Sequence, residues 1–303
     1  MLLLFSGLGR VGWAQATPGA ELDELAALSA AASNDSGPAG IIPTTRGFNA
    51  SLGSSSQHDS TNGWSSLLNP NVAYRLNQHF SLDVGVPLYV YIKVYRNAGT
   101  AAKPVDTYVP RNGVFGDTAL SFQGSASTDW LDYNGTVTMG LPSGNSGYGL
   151  GAGQVTYTVN NHVEKTLGLF TPDVELGVGD SSNLVDQRVL KSYVAVGPLA
   201  HFQAGMSVDL PFNASFEAEA YEELPLAKDI VYSTTGKGKK KVTTATNEDP
   251  GEDNGFLTSL DIPLSRHLTL SGFYSRSLRD HDDIAGFSFT LLAKAPPRAE
   301  PVH

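Results

Sequence analysis

The sequence predicts an all-β fold: a closed antiparallel transmembrane β-barrel of about twelve strands, connected as an up-and-down meander. Three observations carry this expectation. The first is the run over residues 79–95, where Phe80, Leu82, Val84, Val86, Leu88, Val90, Ile92 and Val94 hold the even positions. Ser81, Asp83, Gly85, Pro87, Tyr89, Tyr91, Lys93 and Tyr95 hold the odd ones. A strand sends successive side chains to opposite faces, so this run has one apolar face and one largely polar face. Strands of soluble sheets are usually about 5–6 residues long, whereas a tilted strand crossing a bilayer needs about 9–11. A soluble β-sandwich would alternate too, in runs about half as long as this one. The second observation is that no stretch approaches the ~20 consecutive apolar residues of a membrane helix, although 41% of the chain is hydrophobic. The third is an alternation of short and long connections between the predicted strands, as expected of a barrel with short turns at one end and longer loops at the other.

Composition narrows the class. A chain of 303 residues suits one large barrel. A mean hydropathy of −0.14 does not argue against it, because alternation hides a membrane face from any average. Cysteine is absent, which excludes disulfides, thiolate metal ligands and a cysteine nucleophile. The net charge of −10 argues against nucleic acid, whose phosphates are held by basic patches.

Residues 1–16 read as a signal-peptide remnant. Leu2 to Phe5 form its apolar part, and Ala14-Gln15-Ala16 fits the small-x-small cleavage pattern. Residues 17–45 are expected to form a periplasmic leader, either disordered or a short helix with Leu22, Leu25 and Leu28 on one side. The barrel is assigned to residues 46–293 and a C-terminal tail to residues 294–303. Its first strand carries Phe48, Ala50 and Leu52, its second Val72, Tyr74 and Leu76, and its third is the run described above. In that run Pro87 lacks a ladder donor and predicts a break in pairing. Further alternating sets centre on Leu120 and Phe122, on Tyr133, Val137 and Met139, on Tyr157 and Val159, and on Val174, Leu176 and Val178. Residues 194–210 keep the period throughout, and Phe216, Leu260, Leu270 and Phe289 mark the last four strands. Short turns are expected at residues 77–79, 126–129, 160–162, 211–213 and 265–267. Longer connections are expected at 57–65, 97–112, 143–150, 180–188 and 235–253, with a tight last one near 280–282.

If the even positions near residue 80 meet lipid, the opposite face lines a water-filled lumen. Continued strand by strand, that face predicts a pore lining of Arg75, Asp83, Tyr89, Tyr91, Lys93, Asp117, Asp132, Asn134, Gln154, Asp173, Glu175, Lys191, Tyr193, His201, Asp209, Glu217, Glu219 and Asp261. Nine of these are carboxylates against three lysines or arginines, enough for an acidic field that favours cations or polyhydroxylated solutes unless cross-lumen pairs neutralise it. Tyr89, Tyr91 and Tyr193, with Lys93 and Lys191, are the expected constriction.

Other motifs carry less. Residues 144–153 are glycine-rich, but a phosphate loop must follow a strand and open a helix, and strands are predicted on both sides. The basic run Lys237, Lys239, Lys240 and Lys241 suits a solvated external loop or lipopolysaccharide phosphates. Asp280, His281, Asp282 and Asp283 crowd one tight turn without metal-ligand spacing, so no metal site is assigned. No Gly-x-Ser-x-Gly elbow occurs, and His201 is the one histidine placed on the wall. No catalytic residue and no cofactor is assigned.

Residues 130–133 and 140–145, then Gly149-Leu150-Gly151-Ala152-Gly153-Gln154, form a strand–loop pattern preceded by Val114-Phe115-Gly116-Asp117-Thr118-Ala119-Leu120. This pattern resembles the outer-membrane transporter family labelled for the meta-pathway of phenol degradation. The resemblance covers much of residues 46–293 and implies passage of aromatic compounds; it transfers no catalytic residues. One departure is the C-terminus, where residues 293–303 follow the last strand instead of an aromatic ending. The expectation is thus a channel or passive transporter for small molecules, aromatic ones included, in the outer membrane of a Gram-negative-type bacterium, with outer-membrane lipid and lipopolysaccharide around it and no nucleic-acid partner. Two alternatives stand beside it: a structural or adhesive surface barrel with a plugged lumen, and a lipid hydrolase that uses His201.

Overall fold

The computed structural model describes residues 47–60, 63–97, 106–145, 150–151, 155–180, 193–194, 198–227, 229–235, 242–248, 252–279 and 281–293. The expected signal segment 1–16, leader 17–45 and tail 294–303 lie outside the described residues. The alternating sequence forms eighteen strand segments among the described residues. They are β1 (Gly47–Asp59), β2 (Gly63–Arg75), β3 (Phe80–Gly85), β4 (Leu88–Asn97), β5 (Asp106–Arg111), β6 (Val114–Phe115), β7 (Thr118–Ser127), β8 (Asp132–Leu141) and β9 (Thr156–Glu164). The series continues with β10 (Phe170–Asp180), β11 (Tyr193–Val194), β12 (Pro198–Asp209), β13 (Ser215–Pro225), β14 (Asp229–Thr235), β15 (Val242–Glu248), β16 (Asp253–Pro263), β17 (Leu268–Ser277) and β18 (Asp283–Leu292).

Twelve wall strands make the barrel, all paired antiparallel, because β3 with β4 is one interrupted strand and β5 to β7 is another. The first strand closes it by pairing with both β2 and β18, as in Gly53↔Asn69 and Gly53↔Thr290. The barrel wall is thereby closed, the condition for a sheet to sit in hydrocarbon without unpaired backbone groups. The segments β11, β14 and β15 form a separate three-stranded sheet within the long connections. Phe48, Trp64, Val72, Leu176, Phe202 and Phe287 are exposed on the outer surface, and Arg75, Ser81, Asp83, Ser121, Asp173 and Glu219 are buried on the inner one. Greasy outside and polar inside is the division expected of a transmembrane barrel.

Several connections differ from those read in the sequence. Residues 160–162 belong to β9, where Asn160 pairs with Gly177 and His162 with Glu175. The turn falls instead at residues 165–169, closed by Leu167 N–H donating to the Phe170 carbonyl at 2.7 Å, with Gly168 supplying a φ of 73°. The connection expected over 57–65 shrinks to residues 60–62, since the β1–β2 ladder runs to Asp59↔Gly63. That expected over 97–112 shrinks too, because β5 pairs with β4.

The strand read as continuous over residues 79–95 has two interruptions. Pairing breaks at Pro87, as its missing N–H requires, and the break is bridged by Gly116 N–H donating to the Pro87 carbonyl at 2.9 Å. A bulge follows. Tyr89 pairs with the inward Leu67, but Tyr91 pairs with Ser66, which shares the outer face with Ser56 and Phe287. One extra residue, Val90, therefore turns the rest of β4 over. Ile92 and Val94, expected against lipid, are 2% exposed on the inner side.

Closure at β1–β18 is testable because the chain has no native cysteine. Ser55 and Ser288 are direct ladder partners, and such partners lie within disulfide range, with Cα atoms about 4.5–5.5 Å apart. Ser55→Cys with Ser288→Cys should form an intramolecular disulfide, seen as a redox-dependent mobility difference on gels. Ser55→Cys with Phe287→Cys, shifted by one residue onto the outer face, should not.

Candidate functional site

The inner wall is polar along its length and carries one apolar cluster. Near the end bearing the short turns it is polar and acidic. Arg75, inward at the end of β2, does not stand free in the lumen: its Nε donates to the Asn77 carbonyl at 2.7 Å and its Nη2 to the Gln78 carbonyl at 2.6 Å, bracing a turn. Asp83, across the ladder from Ser121, accepts from Asn71 Nδ2 at 3.3 Å. On β8, Asp132 accepts from the Ser127 hydroxyl and faces Glu164, while Asn134 faces His162. Asp261 is buried beside its partner Ser271, and Asp209 is exposed at the short-turn end of β12.

The strands β9, β10, β12 and β13 carry a connected acid–imidazole network. His162 lies 3.6 Å from Glu164 and 3.9 Å from Glu175. His201 lies 3.7 Å from Glu175, 3.6 Å from Glu223 and 2.9 Å from the Gln203 amide oxygen. The groups around the His201 ring among the described residues are the Glu175 and Glu223 carboxylates and the Gln203 amide, not the serine hydroxyl a hydrolase would use. Glu217 and Glu219 project inward from β13 and Asp173 from β10, at neighbouring levels.

Toward the long-loop end one side of the inner wall carries an apolar cluster, beside buried polar groups that include Gln57, Asp59, Ser65, Asp253 and Ser277. Leu67, Tyr89, Ile92, Val94, Leu150 and Ile284 pack together, with Val114 and Phe273 against them. These come from both sides of the closing seam and from the connection after β8. That connection is held inward where Gly144 N–H donates to Asp117 Oδ1 at 2.8 Å and Asn145 N–H to the Phe115 carbonyl at 3.1 Å. Asp117 therefore anchors a loop.

Two expected lining residues are corrected by the bulge: Tyr91 and Lys93 take the outer face, and of the expected constriction Tyr89 alone is seen on the inner one. Gln154 and Lys191 lie outside the described residues, and Tyr193 is described only as a backbone partner of Tyr232. The sequence reading missed Glu164 and Glu223, and it placed His162 in a turn.

This combination of a closed wall, a lipid-facing apolar surface and a polar interior defines an outer-membrane β-barrel. Similarity to solved structures agrees with that class. The chain is similar to the COG4313 outer membrane channel from Pseudomonas putida F1, at 13% identity and a TM-score of 0.53, over 85% of this chain and 100% of that one. Weaker likeness extends to the NanC porin (6% identity, TM-score 0.48, 79% of this chain and 98% of that one). It also extends to the Pseudomonas putida toluene transporter TodX (9%, 0.43, 86% and 92%). No family model matches the chain, and no curated protein sequence matches it.

The face assignment predicts opposite responses at adjacent residues of β10. Leu176→Arg, outward in the middle of the strand, should destabilise the barrel by about 2–4 kcal/mol in denaturant unfolding from vesicles. Glu175→Gln, inward beside it, should shift that midpoint far less.

Proposed function

We propose that this protein is a passive outer-membrane channel for small molecules, with aromatic compounds as the favoured class. The observation that carries the proposal is the apolar cluster inside an otherwise polar barrel. Leu67, Tyr89, Ile92, Val94, Leu150 and Ile284 pack together on one side of the inner wall near the long-loop end, an apolar surface along which a neutral aromatic solute would gain dispersion contacts. A hydrated ion gains nothing comparable there and must shed water. Barrels of about eight strands are filled by side chains and those of 16–18 leave an open channel, so twelve strands support a narrow path. The resemblance of residues 114–120 and 130–154 to the phenol meta-pathway transporters supports the aromatic class. Outer-membrane lipid, lipopolysaccharide included, is the proposed partner of the exposed Phe, Leu and Val side chains of the outer face.

In planar bilayers the wild-type protein should conduct ions weakly. Ile92→Ala with Val94→Ala, which shortens two side chains of the cluster, should raise single-channel conductance at least twofold and accelerate entry of a small aromatic solute into lipopolysaccharide-containing vesicles. Absence of conductance and of solute flux in both proteins would favour the plugged structural barrel.

A further inference from the structure

Where β10, β12 and β13 run side by side, Asp173, Glu217 and Glu219 each bring a carboxylate oxygen within 4.8 Å of the others. The ladder explains the approach. Asp173 and Glu219 are partners of the same residue, Gly205, from opposite sides. A Cβ at position 205 would lie 2.4 Å from Glu219 Cγ and 2.7 Å from the Ala218 carbonyl oxygen. Glycine thus leaves the gap through which Glu219 leans across β12 toward Asp173. Glu217 stands two residues nearer the short turn, opposite Ser207, another small residue.

The three carboxylates are not equally satisfied. Gln203 Nε2 donates to Glu219 Oε2, and Ser259 Oγ donates to Glu217 Oε2 at 3.3 Å. Asp173 is 6% exposed, and its oxygens meet no hydrogen-bond partner other than the Glu219 carboxyl, which can donate only when protonated. A buried carboxylate without donor or countercharge is strongly unfavourable. Its ladder partner on β9 is a further acid, Glu164. Among the described residues, the inward positions of β9, β10, β12 and β13 offer no lysine or arginine. They offer two imidazoles: His162, within 4 Å of Glu164 and Glu175, also attracts Asp173 and Glu217 from farther off, and His201 lies within 4 Å of Glu175 and Glu223.

We propose that Asp173, Glu217 and Glu219 bind a hard divalent cation, with calcium as the ion of best fit. The donors are all carboxylate oxygens, which selects hard cations over zinc or copper. Three side chains from two non-adjacent wall strands make an irregular set, which calcium's flexible coordination accepts more readily than magnesium's octahedron. The ion would tie β10 to β13 across Gly205 and neutralise the acidic wall near the short-turn mouth.

The test uses the full-length barrel in detergent micelles, with Tb³⁺ as a luminescent probe excited through tyrosine. Tyr221 is the next inward residue after Glu219 on β13. Wild-type protein should show saturable Tb³⁺ luminescence displaced by Ca²⁺, with an affinity of about 10⁻⁴–10⁻³ M, the range of extracellular calcium modules. Asp173→Asn and Glu217→Gln should each weaken binding at least tenfold. Asp83→Asn, an inward acid on another part of the wall, should leave it unchanged. A second readout separates the site from folding: Ca²⁺ should raise the thermal midpoint of wild type, and in EDTA Asp173→Asn should unfold no earlier than wild type. Binding that is absent from wild type, equal in Asp173→Asn, or lowered as much by Asp83→Asn would overturn the proposal.

Discussion

The rest of this structure depends on one constraint: inside a bilayer every backbone N–H and C=O must find its partner within the protein. A sheet meets that requirement only by closing, and here closure rests on β1, which pairs along its length with β2 and over Ser51 to Asp59 with β18. Once the ladder is closed, side-chain direction is no longer a free choice. Each residue faces either lipid or lumen, and the period-two pattern of the chain is the consequence. Burial follows the same division in reverse of a soluble protein. Many large apolar side chains are exposed, and the buried polar residues are chiefly aspartates and serines.

That constraint made much of the fold legible in the sequence. Long alternating runs, an even strand count and short turns at one end all follow from it, and they are what the residues show. The failures have local physical causes. Asn160 and Asn161 are residues that favour turns, but ladder partners on both sides, Thr136 and Gly177 for Asn160, hold them in a strand. The bulge at Val90 left no mark in the residues of β4 itself. Tyr, Ile, Lys and Val are acceptable on either face near the mouth of a barrel, so strict alternation continued through a point where the backbone slipped by one residue. The one trace lies on the neighbouring strand, where Gly113 has a φ of 67° opposite the bulge. Its meaning depends on knowing that β4 and β5 are partners.

The candidate site was legible by parts and not as a whole. Acidic residues at inward positions could be listed from the alternation alone, and Asp83, Asp173, Glu219 and Asp261 do lie buried on the inner face. Their grouping could not be read, because it depends on which strands are neighbours and at which register. Gly205 illustrates the difficulty. In sequence it is one small residue in a long run, and only the ladder places it between Asp173 and Glu219. The apolar cluster was hidden for a related reason, since Ile92 and Val94 look like lipid-facing residues until the bulge is known.

The acidic wall and the apolar cluster then act on different solutes. A carboxylate-lined wall exerts a long-range force on ions, screened over a Debye length of about 8 Å at physiological salt, and exerts almost none on a neutral molecule. An apolar constriction does the opposite. It adds a desolvation cost for any ion and contact attraction for any apolar ring. On the proposed reading, selection therefore falls at the long-loop end, where Leu67, Tyr89, Ile92 and Val94 meet Leu150 and Ile284. The acidic wall leaves a neutral aromatic solute nearly indifferent to its charge. Its acids are then free to be held by cations, hydrogen bonds and the His162 and His201 rings without obstructing the path of the solute.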